Sequence, residues 1–175
     1  DSFYPKINSN KRWDVIFPHR LQKDKGVLEF VEILRKLPNI KFLVTTPLEK
    51  NILSGTRFYD QVSKLSNVEF QYNVNNTNIS RYLSKASIVL SCSLQETFGY
   101  SVIKSVLCGC HPVVPDRACY PEFFGNKYRY KSIQEACLMI GKIISSGKTN
   151  QVDNFSSKKS YKFSFVPLIE DFFKK

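Results

Sequence analysis

The sequence predicts an α/β fold, a doubly wound parallel sheet. Two observations predict it. Short apolar runs typical of buried strands alternate along the chain with segments whose apolar residues recur at helical spacing, and the connections are short. The stretch 90–116 also shows an apolar run, a polar loop, a helical segment and a second apolar run in succession. Parallel sheets are built from such strand–helix–strand units.

The first half of the chain holds three predicted strands and three predicted helices. The strands are at 13–17, 40–45 and 67–72, and the helices at 27–37, 57–65 and 77–85. Pro38 closes the first helix, because proline interrupts helical hydrogen bonding. The segments 18–26 and 46–55 are predicted to be loops.

The second half continues the alternation. A buried strand at 87–91 leads through a loop, 92–97, to a helix between Gly99 and Gly109, and a strand follows at 111–114. A helical turn is predicted at 120–124 and a short strand at 128–130. Ser132 caps a helix that runs to about residue 145 and ends at Gly147.

The two ends of the chain differ in composition from the middle. Residues 1–12 are polar and are predicted to be an interdomain linker that arrives from an upstream segment. Residues 13–148 form the predicted ligand-binding domain. Residues 149–175 are predicted to be a polar linker followed by an amphipathic helix at 163–173.

The composition narrows the class of protein. The chain has 175 residues, of which 42% are hydrophobic, and no stretch approaches the roughly 18 apolar residues of a membrane-spanning helix. Its net charge is +11. Such a charge either keeps a basic surface solvated or attracts a polyanion, which would be nucleic acid, a nucleotide or an anionic membrane surface.

The five cysteines show no metal-ligand spacing, and their number is odd. We therefore expect free, buried thiols in a reducing compartment, which is the cytoplasm, and no metal site.

Ligands of doubly wound sheets bind beyond the carboxyl ends of the strands, where three polar segments of this chain are predicted to converge: 20–25, 73–76 and 96–100. Arg20 and Lys25 are suited to clamping a diphosphate, the first as a planar fork and the second as a point charge. They are otherwise two exposed cations near a helix start. His19, beside Arg20, is either a ligand contact or structural, whereas His111 is expected to be structural.

Glu96 precedes the helix that Gly99 opens. It either accepts hydrogen bonds from paired sugar hydroxyls or caps the helix. The backbone N–H groups of Phe98, Gly99 and Tyr100 are predicted to face a phosphate at the positive end of the helix. Glu122 follows the fifth strand and either faces the same cleft or caps a turn.

These motifs together resemble the C-terminal, donor-binding domain of retaining GT-B glycosyltransferases of the large GT4-like group. PHRLQKDKG is similar to the R-x4-K-G phosphate clamp of that family, and QETFGYSVIKSVLCGCHPVVPD to its E-x-F-G…G-x-P-V-V segment. DSFYP resembles the interdomain linker, and Phe163-Ser164-Phe165 the start of a last helix that crosses back to the N-terminal domain. The pairs His19-Arg20 and Asp24-Lys25, with Cys108-Gly109-Cys110 and the segment 116–122, are similar to the branch that includes the tRNA-queuosine mannosyltransferases.

The resemblance implies a Rossmann-like domain, one half of a GT-B fold, and roles for several residues. Arg20 and Lys25 would hold the diphosphate of a nucleotide-sugar donor, and Glu96 would bind hydroxyls of its sugar. The segment Thr97-Phe98-Gly99-Tyr100 would approach sugar and phosphate, and the Val74 backbone would contact the base. No metal or other cofactor is implied.

The resemblance also implies a partner domain, and it shows one residue that differs from the family pattern. Acceptor binding in the family depends largely on an N-terminal domain or subunit, so we expect the isolated chain to be inactive. The family carries a second Glu, for the ribose hydroxyls, where this chain has Lys104. A cation cannot accept those hydrogen bonds.

Three hypotheses about function follow. The leading one is the donor-binding half of a hexose-transferring enzyme, with DNA or RNA carrying a modified base as the acceptor. The alternative is a non-catalytic module that binds nucleic acid or a protein through its basic surface. A transferase with a lipid acceptor at a membrane is the third.

Overall fold

The computed structural model describes residues 10–147, which form one parallel six-stranded sheet with helices on both faces. The strands are β1 (Trp13–Phe17), β2 (Phe42–Thr45), β3 (Val68–Gln71), β4 (Ala86–Leu90), β5 (His111–Pro115) and β6 (Arg129–Tyr130). The helices are α1 (Val27–Lys36), α2 (Lys50–Leu53), α3 (Arg57–Ser63), α4 (Ser80–Leu83), α5 (Tyr100–Leu107), α6 (Tyr120–Phe123) and α7 (Ile133–Ser146). Short 3-10 turns lie at Lys23–Lys25 and Asn126–Tyr128.

The strand order is β3-β2-β1-β4-β5-β6, so the chain winds outward from β1 in one direction and then from β4 in the other. Every neighbouring pair is parallel. This order creates a crevice between β1 and β4 at the carboxyl edge, where doubly wound folds bind ligands. The predicted doubly wound, Rossmann-like sheet is confirmed.

Two apolar clusters cover the two faces of the sheet. Along β1, Val15 and Phe17 point into one cluster, with α1 and α7, while Ile16 points into the other, with α5. Alternation of this kind follows from the two-residue period of a strand. Because both faces are buried, β1, β4 and β5 have nearly continuous apolar sequences.

The local signals at helix ends are confirmed. The Ser132 side chain accepts a hydrogen bond from the Glu135 N–H at 3.2 Å, which caps α7, and Gly147 ends that helix in the left-handed conformation. Gly99, with φ +74°, precedes α5 as predicted.

One loop prediction and one helix prediction were wrong. The segment 46–55 contains the short helix α2, and the helix expected at 77–85 is reduced to α4. The reason for the second is Asn75, whose Oδ1 accepts hydrogen bonds from the Thr77 N–H and hydroxyl at 3.0 and 2.6 Å. That side chain competes with helical hydrogen bonding and holds a turn instead.

The ends of the predicted domain are only partly described. Lys11 Nζ donates to the carbonyl oxygens of Ser84 and Ala86 at 3.0 and 2.9 Å, so the last residues of the predicted linker lie against the start of β4. The rest of the linker, the polar segment 149–159 and the helix predicted at 163–173 lie outside the described residues.

All five cysteines are free. Four are buried, as predicted, but Cys137 on α7 is only partly buried, which corrects the expectation for that residue.

Candidate functional site

Lys25 and Glu96 meet at the carboxyl edge between β1 and β4. Lys25 Nζ lies 3.1 Å from Glu96 Oε2 and donates a second, longer hydrogen bond of 3.3 Å to the Gln95 carbonyl oxygen. The side chains of the pair are 17% and 16% exposed. The sequence separation of these residues is 71, so only the adjacency of β1 and β4 brings them together.

The loops that carry this pair are joined through their backbones. The Asp24 carbonyl oxygen accepts hydrogen bonds from the N–H groups of Leu94 and Gln95, at 2.8 and 3.3 Å. Gly26 has φ +66°, and a Cβ added there would lie 1.8 Å from the Cys92 carbonyl oxygen. Glycine is therefore required for the two loops to approach this closely.

The interpretation of Glu96 as a helix cap is wrong. The N-cap residue of α5 is Gly99, and no side chain accepts a hydrogen bond there. The Glu96 carboxylate is instead bound to Lys25.

Arg20 differs from Lys25 in its surroundings. It is exposed, and among the residues that the structure describes its guanidinium has no hydrogen bond or ion pair. The predicted clamp thus consists of one cation held by a carboxylate and one whose five N–H donors are available. Thr97 is also exposed in the loop before α5.

The start of α5 is packed against aromatic side chains. A Cβ on Gly99 would lie 3.1 Å from the Tyr120 ring, so α6 leaves little room there. The Phe98 ring contacts those of Tyr100 and Phe123, with centroids 4.9 and 5.2 Å apart.

His19 is buried directly after β1, with 5% of its surface exposed. Its ring contacts Phe17 edge-on at 5.1 Å, and its buried Nε2 atom has no hydrogen-bond partner among residues 10–147. Burial lowers the pKa of His19 to about 4, and the neighbouring charges of Glu96 and Lys25 act in opposite directions. His111 is partly exposed and packs against the Tyr128 ring at 5.1 Å.

Val74 lies at the carboxyl edge beyond β3 and is buried. Its N–H donates to the Thr46 carbonyl oxygen at 2.9 Å, so of its backbone polar groups the carbonyl is the one left to contact a ligand. Next to it is a shallow, open depression of about 540 Å³, lined by Glu49, Lys50, Asn51, Ser54, Tyr72 and Asn73. This depression is on the β2–β3 side of the crevice and does not include the Lys25–Glu96 pair.

Lys104 lies on α5 and is buried, with 7% of its surface exposed. Its Nζ donates to the Asn76 carbonyl oxygen at 3.2 Å, which connects α5 to the loop beyond β3. Burial lowers the pKa of Lys104. The residue that departs from the family pattern therefore contacts the same loop that carries Val74.

Arg117 was not predicted as a site residue, although it follows β5 at the same edge of the sheet. Its guanidinium donates to the carbonyl oxygens of Cys92 and Ser93, at 2.9 and 3.0 Å, and to Glu29 Oε2 at 2.7 Å. One side chain thus connects the loop after β4, the first turn of α1 and the segment after β5. Its position immediately after an apolar strand was the signal that could have identified it.

Buried hydroxyl groups hold the end of β4, where the loop to Glu96 begins. The Tyr120 hydroxyl lies 2.7 Å from Ser91 Oγ, and the Tyr130 hydroxyl donates to the Ser91 carbonyl oxygen at 2.9 Å. Burial raises the pKa of both tyrosines. The base of the loop that leads to Glu96 is therefore held by side chains from two other elements.

Glu122 is exposed on α6, which begins without a side-chain cap, so the turn-capping interpretation is wrong. Burial, together with the charges of Glu96 and Glu122, raises the pKa of the Cys119 thiol to about 11. Both carboxylates therefore lie near Cys119.

Residues 10–147 hold neither a metal-ligand cluster nor a membrane-spanning helix. They contain no cluster of three or more His, Cys, Asp or Glu side chains arranged to hold a metal ion. Nor does this part of the chain have a helix of the length and apolarity needed to cross a membrane.

The strand order and the crevice between β1 and β4 define a Rossmann-like domain of the kind that forms the C-terminal half of GT-B glycosyltransferases. The chain belongs to the family described as "Glycosyl transferases group 1", whose model matches residues 2–136. The family resemblance seen in the sequence is thereby confirmed.

Known relatives agree with this assignment. The chain is 26% identical over 172 residues to tRNA-queuosine alpha-mannosyltransferase of Drosophila melanogaster, covering 92% of this chain and 45% of that relative. It therefore spans less than half the length of the relative.

Two solved structures share the fold. The C-terminal domain of a glycosyl transferase group 1 family protein from Francisella tularensis has a TM-score of 0.63 and 20% identity, covering 84% of this chain and 87% of that one. Sucrose-phosphate synthase from Thermosynechococcus elongatus has a TM-score of 0.66 and 15% identity, covering 82% and 40%.

Proposed function

We propose that this chain is the donor-binding domain of a retaining glycosyltransferase that moves a hexose from a nucleoside diphosphate to a modified base in nucleic acid. The observation that carries the proposal is the Lys25–Glu96 pair at the crevice between β1 and β4, with Arg20, which has no partner within residues 10–147, in the loop before Lys25. A nucleotide sugar carries both an anion for the cations and hydroxyls for the carboxylate. Membership of the glycosyl transferases group 1 family supports the same class of ligand.

Each residue of the site has a chemical task in this proposal. Arg20 and Lys25 bind the diphosphate, and Glu96, released from Lys25, accepts hydrogen bonds from two sugar hydroxyls. The positive end of α5, behind Thr97, adds favourable potential for phosphate. As the glycosidic bond breaks, negative charge grows on the leaving diphosphate, and the two cations stabilise it. They supply the charge that Mg²⁺ supplies in other transferases, so the reaction is proposed to need no metal.

The acceptor side of the active site lies on another domain or subunit. The chain spans 45% of the Drosophila melanogaster relative, which leaves room for an N-terminal half. Alone, the chain is proposed to bind donor but not to transfer sugar. The free thiols of the five cysteines are consistent with a reducing, cytoplasmic location.

Two features support nucleic acid as the acceptor. The net charge is +11, which favours contact with phosphate backbones. The relative from Drosophila melanogaster is a tRNA-queuosine alpha-mannosyltransferase by name.

A second function is favoured by one observation. Lys104 is bonded to the Asn76 carbonyl oxygen, where the family pattern has a glutamate for the ribose. With lysine at that position, the ribose of a nucleotide sugar would lose two hydrogen-bond acceptors. Such a loss is expected of a module that no longer binds nucleotide sugars.

The test is a thermal-shift panel of UDP-, GDP- and ADP-sugars with the corresponding nucleoside diphosphates. A ligand at a hundredfold excess over its Kd stabilises the folded chain by about 2.7 kcal/mol. We expect a shift with at least one nucleotide sugar. No shift with any of them, together with salt-dependent binding to RNA or DNA, would support the binding module instead.

Variants locate the ligand. Arg20→Ala is expected to weaken sugar nucleotide and bare diphosphate alike, whereas Glu96→Ala weakens the sugar nucleotide more. Arg35→Ala is the matched control, since Arg35 is an exposed arginine in the last turn of α1, at the opposite edge of the sheet. Equal losses for the two ligands in Glu96→Ala would remove the proposed sugar contact.

A further inference from the structure

The imidazole of His19 is the buried polar group of the crevice that the proposed function does not use. His19 follows β1 directly, at the edge where the crevice opens, and adjoins Arg20. Its surface is 5% exposed, and Nε2 is buried without a hydrogen-bond partner. Phe17 packs edge-on against the ring at 5.1 Å and offers no acceptor.

The position of His19 beside the candidate diphosphate site makes this lack of a partner informative, although within residues 10–147 Arg129 Nε on β6 is also buried without a partner. Arg117 and Tyr120, at the same edge, have hydrogen-bond partners for their polar side-chain groups. A buried nitrogen without a partner destabilises a fold, and most such groups are satisfied by protein, water or a ligand. At the mouth of a candidate diphosphate site, an oxygen of the ligand is the partner whose chemistry fits.

The charges that face His19 come from two loops. Asp24 and Lys25 belong to the turn after β1, and Glu96 belongs to the loop after β4. Burial is the largest influence and lowers the pKa of His19 to about 4, which keeps the ring neutral near pH 7. Lys25 lowers this pKa further, while Asp24 and Glu96 raise it.

Diphosphate binding would change this balance of charge. An anion at Arg20 and Lys25 brings two or more negative charges close to the ring, and opposite charges stabilise the imidazolium. Lys25 is bound to Glu96 in the free chain, so a phosphate that binds Lys25 competes with that carboxylate. Any diphosphate competes for Lys25 in this way, and the hydroxyls of the proposed donor would compete for Glu96 as well.

We propose that His19 is a ligand-binding residue for the diphosphate, and that its ring takes up one proton from solvent when the anion binds and donates a hydrogen bond from Nε2 to a phosphate oxygen. The identity of the physiological ligand rests on the proposed function; the response to an anion does not. With the bound-state pKa expected at about 5–7, the affinity of the wild type for diphosphates, relative to that of His19→Gln, should increase as the pH falls from 7 towards 5.

The direct test is an NMR titration of the imidazole resonances of the 175-residue chain, with and without inorganic pyrophosphate, UDP and GDP. We expect the pKa of His19 to rise by about one to three units on binding. His111, the second of the two histidines in the sequence, is the internal reference and should not move. Calorimetry in two buffers of different ionisation enthalpy should show proton uptake.

Two substitutions separate the hydrogen bond from the proton. His19→Gln keeps an uncharged N–H donor of similar reach, so affinity is largely retained but proton uptake is lost. His19→Phe keeps a ring against Phe17 but loses both the hydrogen bond and the proton uptake, so affinity should fall about tenfold or more. His111→Gln is the matched control. Thermal unfolding of each variant without ligand shows whether it is folded.

The outcomes distinguish this inference from the proposed function. If nucleotides bind and the His19 resonances do not respond, the inference is wrong and the donor function stands. If pyrophosphate shifts His19 but no nucleotide binds more tightly than pyrophosphate, the inference stands and the donor function fails. If no anion binds, both fail.

Discussion

Gly26 is the position where a single methyl group should separate the two loops of the site. It has φ +66°, and an added Cβ would lie 1.8 Å from the carbonyl oxygen and 2.6 Å from the carbonyl carbon of Cys92. Both are backbone atoms, so no side-chain rotation relieves the overlap. Carbon–oxygen contacts ordinarily lie at about 3.3 Å, so the loops must separate by roughly 1.5 Å.

The cost can be built from three contributions. A non-glycine residue in the left-handed conformation costs about 1–2 kcal/mol. Separation also breaks the two hydrogen bonds that the Asp24 carbonyl oxygen accepts from Leu94 and Gln95, at about 1 kcal/mol each. We therefore expect Gly26→Ala to lower the free energy of unfolding by about 3–4 kcal/mol and to abolish diphosphate binding.

Gly147→Ala is the matched control. Gly147 has φ +61°, close to the value at Gly26, but nothing lies within 4 Å of its added Cβ. This variant should lose only the conformational part, about 1–2 kcal/mol. Urea unfolding followed by circular dichroism measures both losses, and the thermal-shift panel measures binding. Equal losses of stability, or full diphosphate affinity in Gly26→Ala, would refute the proposed contact between the loops.

Three further predictions concern single side chains. Arg117→Lys cannot keep all three hydrogen bonds and should lower the free energy of unfolding by about 1–3 kcal/mol. The control Arg35→Lys should lower it by less than about 0.5 kcal/mol, both measured by urea unfolding. Equal effects of the two substitutions would contradict the prediction. The pKa of His19 is lowered on folding, so the unfolded chain binds the proton first and stability falls as the pH drops from 6.5 towards 4. Between pH 6.5 and 4, the free energy of unfolding in urea should fall by up to about 3 kcal/mol more in the wild type than in His19→Phe. The same fall in both proteins would disprove this. Lys104→Glu should increase the affinity for a nucleoside diphosphate, relative to that for pyrophosphate, about tenfold as measured by calorimetry. Lys104→Met should leave this ratio unchanged. The same result for both variants would show that a glutamate here does not bind the ribose.

The Lys25–Glu96 pair gives the free site a closed state. Lys25 and Glu96 bind each other at 3.1 Å, and the proposed donor would offer a phosphate to the first and hydroxyls to the second. A bare phosphate engages Lys25 but leaves Glu96 partly buried without its cation, which is unfavourable. The pair therefore favours ligands that carry both groups over those that carry one.

Sequence alone determined the features that depend on neighbours along the chain. The sequence pattern predicted all six strands close to their observed positions, and the central ones were recognised as continuous apolar runs because burial on both faces of a sheet requires them. Ser132, Gly147 and Gly99 marked helix ends, because capping is a local interaction. The short helix α2 was missed, and the helix at 77–85 was predicted too long, since the Asx turn at Asn75 outweighs weak helical periodicity there.

The tertiary structure decided which of the predicted residues meet. The order β2-β1-β4 places the loop of Lys25 beside that of Glu96, and no local pattern fixes the order of strands in a sheet. The same adjacency buries His19 and gives Arg117 its three partners. These properties are set by contacts between segments far apart in sequence. Residue types therefore identified the chemistry of the site, and only the folded sheet established its geometry.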